Sequence, residues 1–340
     1  MKNKFAFWNN KGGTGKTSLA FQAITRYAEK HPKEKILAVD VCPQANLSEL
    51  LLGGLNNKGS DKLLAQQGRM PRCSIGGYFQ LRLPSPYVPP SFTATDFITL
   101  PSAFNAAVPA NIDLVCGDPL LELQANAVNT LANNQIPGSN PWISVVDWLS
   151  DFLAQIEDEY ETVFLDCNPS FSLYTQIALA ASNRIILPVM ADDSSRRAIQ
   201  NVFSLVYGLK LPSEIYSAYA FATKLQAAGR TLPKVHLIVK NRLTQYMGAA
   251  SAYAAVLQSI ETDVQKLLKS NPDIFTFSNT SDGFVEIRDF QTTGVVAFAK
   301  GLPFSRVQVG KQSINSHRVQ VKGEYLKNAR DAIEDLVNML

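Results

Sequence analysis

The sequence contains no long apolar run, and this absence excludes several classes of protein. Near the N-terminus of the 340-residue chain the only apolar stretch is Phe5 to Trp8, which is too short for the core of a signal peptide. No later run reaches the length of a membrane span. We therefore expect a cytoplasmic protein that does not bind membranes. Hydrophobic residues make up 46% of the chain, which is enough for a sizeable buried core.

Cysteine is also scarce. The four cysteines are widely spaced, and none forms the close pair that zinc sites and redox motifs use. We expect them to be free thiols. They are Cys42, Cys73, Cys116 and Cys167.

Acidic residues are absent from two long tracts of the C-terminal half, although the net charge is only +3. This uneven charge favours an anionic partner. Proximity in sequence does not make a surface patch, so cations scattered over solvated faces remain the alternative. The first tract is Ile215 to Ile260, with Lys224, Arg230, Lys234, Lys240 and Arg242, and the second is Gln291 to Gly323, with Lys300, Arg306, Lys311, Arg318 and Lys322.

Short apolar runs rich in β-branched residues alternate with helical patterns along the chain. This alternation is typical of an α/β fold in which a mostly parallel, twisted sheet carries helices on both faces. The predicted strands are Phe5 to Trp8, Ile36 to Val39, Ile112 to Val115, Val163 to Leu165, Ile185 to Val189 and Val235 to Val239. The predicted helices are Thr17 to Lys30, Ile143 to Gln155, Leu173 to Ala181, Ala249 to Lys269 and Glu324 to Leu340.

One segment does not follow this alternation. Residues Gly53 to Asn111 are rich in Pro, Gly and Ser and show no sustained period of either kind. We interpret the segment as an irregular insertion packed on a single domain that spans residues 1–340.

A glycine-rich loop, NKGGTGKTS, directly follows the first predicted strand and leads into a helix. In this context the glycines allow backbone N–H groups to surround phosphate oxygens, and the positive end of the helix adds to the attraction. Lys16 can then reach the β- and γ-phosphates, and Thr17 can offer its hydroxyl to Mg²⁺. The loop, Asn10 to Ser18, therefore predicts a nucleotide site.

The loop departs from the usual pattern at its start, where Asn10 replaces glycine and Lys11 follows. It resembles the deviant Walker A loop of the ParA, Soj and MinD group of ATPases. In that group the extra lysine crosses to the partner subunit and touches its nucleotide phosphates. The resemblance implies ATP and Mg²⁺ as cofactors and an ATP-sandwiched homodimer, while the alternative is that Lys11 is a solvated charge beside the loop.

Further segments carry the resemblance across most of the chain. Asp40, in ILAVDVCPQANLS, and Asp166, in TVFLDCNPS, each end a predicted strand as the acidic motifs of the group do. By this resemblance Thr17, Asp40 and Asp166 would lie on the metal side of the nucleotide. Helix capping is the alternative for both aspartates. Asn241, in KNR, resembles the base-contacting asparagine of the group, or is an ordinary turn residue.

Cys42 stands where the pattern Asp-x-Asp-Pro-Gln of the group has its second aspartate, which is thought to position the attacking water. A neutral thiol is a poor substitute for a carboxylate, so we expect slow hydrolysis. Alternatively, Asn46 or a residue near Asn168 orients the water. The resemblance implies Lys11, Lys16, Asp40 and Cys42 as catalytic positions, and Lys11, Gly12, Gly13, Thr14, Gly15, Lys16, Thr17, Ser18 and Asn241 as nucleotide-binding residues.

The leading functional expectation from this resemblance is a nucleotide-driven switch in plasmid or chromosome partition. It would bind DNA without sequence preference, associate with the nucleoid and engage a ParB-like partner protein. One alternative is a slow or non-hydrolysing ATP-binding regulator in signalling or defence. A MinD-like positioning ATPase is disfavoured because the C-terminal tail lacks a basic face. An iron–sulfur reductase is disfavoured because Cys116 and Cys167 have the context of small buried residues.

Overall fold

A computed structural model describes residues 1–211, 213–243 and 250–340 of the chain. Eight strands form one sheet, namely β1 (Asn3–Phe7), β2 (Ile36–Val41), β3 (Ile98–Thr99), β4 (Ile112–Val115), β5 (Thr162–Cys167), β6 (Arg184–Val189), β7 (Lys234–Leu243) and β8 (Phe284–Arg288). Their order is β3-β4-β2-β5-β1-β6-β7-β8. Only β3 is antiparallel to its neighbour. A separate antiparallel hairpin consists of β9 (Gly310–Ile314) and β10 (His317–Val321).

Helices connect the strands and cover the sheet. They are α1 (Lys16–Lys30), α2 (Asn46–Leu52), α3 (Gly59–Gln67), α4 (Ile75–Arg82), α5 (Leu120–Asn133), α6 (Pro141–Val146), α7 (Trp148–Ala154), α8 (Leu173–Ala181), α9 (Asp193–Tyr207), α10 (Glu214–Ser217), α11 (Phe221–Ala227), α12 (Ala250–Ser270), α13 (Gln291–Lys300) and α14 (Gly323–Asn338). Within the described ranges, none of them has the length and apolar character needed to cross a bilayer.

The sheet separates two hydrophobic cores. Successive side chains of a strand point to opposite faces of the sheet. Phe5 and Phe7 of β1 therefore lie in the first core, whereas Ala6 of β1 and Trp8, which follows the strand, lie in the second. All four side chains are fully buried. The first core lies against α1, α2 and α14, and the second lies against α4 to α9. This arrangement confirms the prediction of an α/β sheet covered on both faces.

The six predicted strands are all present in the sheet, and α8 has the predicted bounds. The helix predicted from Ile143 to Gln155 is instead two helices, α6 and α7, which meet at Asp147. The first residue of the helix predicted from Ala249 lies outside the described residues, and α12 begins at Ala250. Sequence reasoning missed β8, the β9–β10 hairpin and the helices α2, α5, α9, α10, α11 and α13.

The segment Gly53 to Asn111 is more regular than the sequence indicated, because it contains α3, α4 and the edge strand β3. Its aromatic residues are not spaced with a helix or strand period in the sequence, but their rings pack against one another in the structure. The Tyr78 ring lies 5.1 Å from the Phe92 ring and 5.7 Å from the Phe97 ring. It also lies 5.1 Å from the Phe152 ring of α7. These contacts attach the segment to the second core.

Candidate nucleotide site

The glycine-rich loop lies between the carboxyl end of β1 and the first turn of α1, beside the ends of β5 and β6. Gly13 and Gly15 have φ values of 75° and 81°, which L side chains rarely adopt. Lys16 is the first residue of α1, so the unpaired N–H groups of that helix face the loop. Loop and helix together form the anion-binding geometry that the sequence predicted.

Two asparagines attach the loop to neighbouring strands. Asn9 is fully buried, donates from Nδ2 to the Pro188 carbonyl at 2.7 Å and accepts from the Lys11 N–H at 3.1 Å. Asn241, at the end of β7, donates from Nδ2 to the Thr14 carbonyl at 2.8 Å. Both asparagines therefore position the loop backbone. Sequence reasoning missed Asn9, although a polar residue directly after a buried strand was a usable signal. The base contact expected of Asn241 stays a prediction.

Gly15→Ala is expected to weaken ATP binding at least about tenfold. The added methyl group would lie 2.4 Å from Asn241 Nδ2, in a backbone conformation that alanine adopts only with strain. The loop would have to move away from Asn241 and from its phosphate-binding shape. Gly138→Ala is the matched control, because Gly138 has a φ of 75° but open space around it. Equal ATP affinity in both variants, measured by titration calorimetry, would contradict the prediction.

Asp166 and Thr17 form the part of the site that could hold Mg²⁺. Thr17 Oγ1 donates to Asp166 Oδ2 at 2.7 Å, while the buried Asp166 Oδ1 has no hydrogen-bond partner among the described residues. Burial, and then the neighbouring carboxylate of Asp40, raise the pKa of Asp166 to about 8. A carboxylate oxygen without a partner beside a threonine hydroxyl is a suitable donor set for a hard cation. These two residues fit the predicted metal site.

Asp40 has a different environment from the one that the sequence indicated. It is fully buried, and its carboxylate accepts from Ser48 Oγ at 2.7 Å, from the Ser48 N–H at 2.9 Å and from the Cys42 N–H at 3.2 Å. Burial raises the pKa of Asp40 to about 6. These bonds tie the end of β2 to α2. A catalytic or metal-side role for Asp40 stays a prediction.

A cavity of about 1080 Å³ extends from the phosphate loop. Cys42 and Asn168 border it near the loop, together with Gln44 and Glu49 of the β2–α2 segment. Burial, and then the carboxylates of Asp40 and Asp166, raise the pKa of Cys42 to about 12, so the thiol is neutral at physiological pH. Part of the cavity wall is apolar. It consists of Leu50, Leu55, Phe290, Val295, Phe298 and Ile314. Sequence reasoning did not single out Glu49 or these apolar residues.

Lys11 does not border this cavity. Its ammonium group forms an ion pair with Asp192 at 2.5 Å and donates to Ser195 Oγ at 3.3 Å. Asp192 also caps α9 by accepting from the Ser195 N–H at 2.7 Å. Burial raises the pKa of Asp192, but the hydrogen bonds from Lys11, Ser194 and Ser195 together lower it to about 2. Sequence reasoning missed Asp192, whose signal was an N-cap before an amphipathic helix.

The two acid-free tracts differ in the structure. In the first tract, Lys224 lies over the Trp142 ring, Arg230 pairs with Asp147 at 2.5 Å, and Lys240 is bound by two glutamates. The side chain of Arg242 lies outside the described residues. In the second tract, by contrast, no cation forms an ion pair with any residue that the structure describes. The second tract is therefore the better candidate for an anion-binding surface.

Comparisons with known proteins agree with this fold. A model of the AAA domain family matches residues 2–211. The chromosome-partitioning ATPase Soj of Treponema pallidum is 28% identical over 56% of this chain and 58% of its own length. The chain spans 48–63% of the length of the first curated relatives that it matches.

Solved structures show the same fold at low identity. Cyanothece McdA, without nucleotide, superposes with a TM-score of 0.59 at 13% identity, covering 98% of this chain and 99% of its own. The pNOB8 ParA bound to nonspecific DNA superposes with a TM-score of 0.52 at 16% identity, covering 85% of this chain and 87% of its own. Since the family model covers more than half of the sequence, the chain belongs to this AAA domain family, and its fold is that of the ParA-like P-loop proteins.

Proposed function

We propose that this protein is an ATP-driven switch that moves between a monomer and an ATP-sandwiched homodimer. The observation that carries the proposal is the position of Lys11. Its ammonium group lies outside its own nucleotide cavity, whereas the glycines of the loop, Lys16 and Thr17 all line that cavity. This position supports a role for Lys11 in binding phosphate on a second copy and not on its own nucleotide. The γ-phosphate of the nucleotide on the second copy would then replace Asp192 as the negatively charged partner of Lys11.

Each step of the switch has candidate residues in this chain. The loop glycines and Lys16 would bind the phosphates, and Thr17 and Asp166 would hold Mg²⁺, which neutralises phosphate charge. Lys16 now donates to the Lys11 carbonyl at 3.0 Å, and burial lowers the pKa of its ammonium group. We expect nucleotide to draw Lys16 from this carbonyl to the phosphates, which would leave the Lys11 segment free to rearrange.

The dimer would bind DNA without sequence preference and act in plasmid or chromosome partition together with a ParB-like protein. Support comes from the name of the Treponema relative and from the DNA-bound pNOB8 structure with the same fold. The cations of the second tract, which have no ionic partner within the described part of the chain, supply the positive charge. Under this proposal the protein would be cytoplasmic and associated with the nucleoid.

The alternative is an ATP-binding regulator of the same fold that hydrolyses slowly or not at all. Cys42 favours it, since the cavity wall has a neutral thiol where a carboxylate would accept a proton. Both candidates share the ATP-dependent dimer and differ in turnover and in DNA binding.

Sedimentation velocity tests the shared step. The protein should sediment as a monomer alone or with ADP and as a dimer with ATP and Mg²⁺. A dimer that forms without nucleotide, or a monomer that persists with saturating ATP and Mg²⁺, would disprove the switch.

Asp192→Asn is expected to strengthen ATP-dependent dimerisation several-fold, because it removes the charge that holds Lys11 within its own subunit. Asparagine is as good an N-cap as aspartate, so α9 should be retained. Asp193→Asn is the control, since the neighbouring carboxylate pairs with Arg196 and Arg197 instead of Lys11. Dimer dissociation constants from sedimentation at saturating ATP give the comparison, and identical constants for the two variants would contradict the expected competition.

A further inference from the structure

The β9–β10 hairpin has two faces of different character. Antiparallel pairing places Lys311 opposite Gln320 and Ser313 opposite Arg318, and these four side chains are all exposed. The other face is directed towards α13 and the core and ends at the fully buried Val321. Because side chains alternate along both strands, the outer face is entirely polar and carries two cations.

The chain segment around the hairpin supplies no carboxylate of its own. The sequence from 291 to 323, which includes α13 and the hairpin, contains no acidic residue. The turn before α3 approaches the hairpin through Asn56 and is followed by another exposed cation, Lys58. Within the described residues the hairpin cations have no ionic partner, in contrast to Arg230 and Lys240 of the first tract. The hairpin is thus a solvent-facing polar ribbon with uncompensated positive charge.

The inner side of the same hairpin reaches the nucleotide cavity. Ile314, at the end of β9, belongs to the apolar part of the cavity wall, together with Leu55 and Val295. Two polar contacts fix the hairpin beside it, from Asn56 Nδ2 to the Ser313 carbonyl at 3.5 Å and from Lys300 Nζ to Gln312 Oε1 at 2.9 Å. One short element therefore has a basic outer face and an apolar residue at the nucleotide cavity.

We propose that the outer face of the β9–β10 hairpin is a docking surface for the sugar–phosphate backbone of duplex DNA. The proposal rests on the proposed function and assigns its DNA contact to an element outside the residues that the family model matches. A two-stranded ribbon fits the width of the major groove of B-DNA, about 12 Å. Lys311 and Arg318 then bind phosphates on the groove walls, while Ser313 and Gln320 donate further hydrogen bonds without reading sequence.

The test compares the double variant Lys311→Gln, Arg318→Gln with the wild type and with a matched control. Lys2→Gln, Lys33→Gln removes the same charge from exposed lysines that precede the amino-terminal ends of β1 and β2. Binding of the ATP form to a random-sequence duplex of about 30 base pairs is measured by fluorescence anisotropy between about 50 and 200 mM KCl. Sedimentation with ATP and thermal melting check that each variant still dimerises and folds.

The hairpin variant should bind the duplex about tenfold more weakly at low salt, and its plot of log affinity against log salt should be shallower by about 1.8, which corresponds to two lost phosphate contacts. The control should retain the wild-type slope. Gln320→Glu, which adds one negative charge to the same exposed face, should also weaken binding.

Two outcomes overturn the assignment in different ways. If the wild type binds DNA and the hairpin variant binds equally well, the hairpin is not the docking surface, while the DNA-binding switch stands. If the wild type dimerises with ATP and binds no duplex, the DNA part of the proposed function fails and the hairpin assignment fails with it. If the hairpin variant loses the binding of the wild type to anionic phosphatidylglycerol vesicles but binds the duplex as the wild type does, the surface binds membranes and the proposal is overturned.

Discussion

Cys42→Asp is expected to raise the rate of ATP hydrolysis in a single turnover at least about tenfold. Cys42 borders the nucleotide cavity beside the phosphate loop, and burial with two nearby carboxylates keeps its thiol protonated. A protonated thiol cannot accept a proton from water. Loss of a positioned base typically costs about 10²–10⁴-fold in rate, so even a partly effective aspartate should produce a measurable gain.

Cys42→Ser is the control for this experiment, because serine is similar in size but also neutral. Hydrolysis is followed with limiting labelled ATP and saturating Mg²⁺. The cation is needed because Cys42→Asp adds a third carboxylate beside Asp40 and Asp166, and Mg²⁺ offsets its negative charge. Brisk turnover by the wild type that Cys42→Asp leaves unchanged would contradict the expectation. It would then indicate another water-orienting group, for which Asn46, Asn168 and Glu49 are candidates at the cavity.

Lys11→Ala is expected to abolish ATP-dependent dimerisation while leaving ATP binding by the monomer intact. The Lys11 side chain contacts Asp192 and Ser195 rather than its own cavity, so its removal takes nothing directly from the bound nucleotide. In the proposed dimer it would remove a charge-assisted contact to the γ-phosphate of the partner's nucleotide in each direction. Sedimentation with ATP and calorimetric titration measure the two properties separately.

Lys16→Ala provides the comparison, since this variant should lose nucleotide binding itself. Lys16 is the first residue of α1 and lines the cavity, where its ammonium group can reach the β- and γ-phosphates. The two lysines should therefore separate cleanly, one affecting assembly and the other affecting binding. Normal dimerisation of Lys11→Ala would show that the deviant lysine has no role across the interface.

The parts of the molecule that were predictable from sequence are those that depend on local patterns. β1, the loop and α1 are contiguous in sequence, and phosphate binding depends on a few adjacent residues whose backbone conformations require glycine. The central strands are short apolar runs that are buried on both faces of the sheet, so they could be assigned as strands from the sequence. Asp166 could be proposed as a site residue for the same reason, because it lies at the carboxyl end of such a strand.

The contacts that sequence reasoning missed join distant parts of the chain. The ion pair of Lys11 with Asp192 spans 181 residues, and the bond from Asn241 to the Thr14 carbonyl spans 227. Neither contact is visible until the strand order places β6 beside β1 and β7 beside β6. Likewise, composition alone could not separate the first acid-free tract, whose Arg230 is neutralised by Asp147, from the second.

The edges of the main sheet limit how copies of this protein can associate. β3 has only two residues, and β8 places Glu286 and Arg288 on its exposed side, with Glu286 bound to Lys240. Short edge strands and charged edge residues disfavour the addition of a strand from another chain. Growth of the sheet into open-ended fibrils is therefore disfavoured at both edge strands, so we expect the proposed dimer to form through a face of the molecule and not through strand pairing.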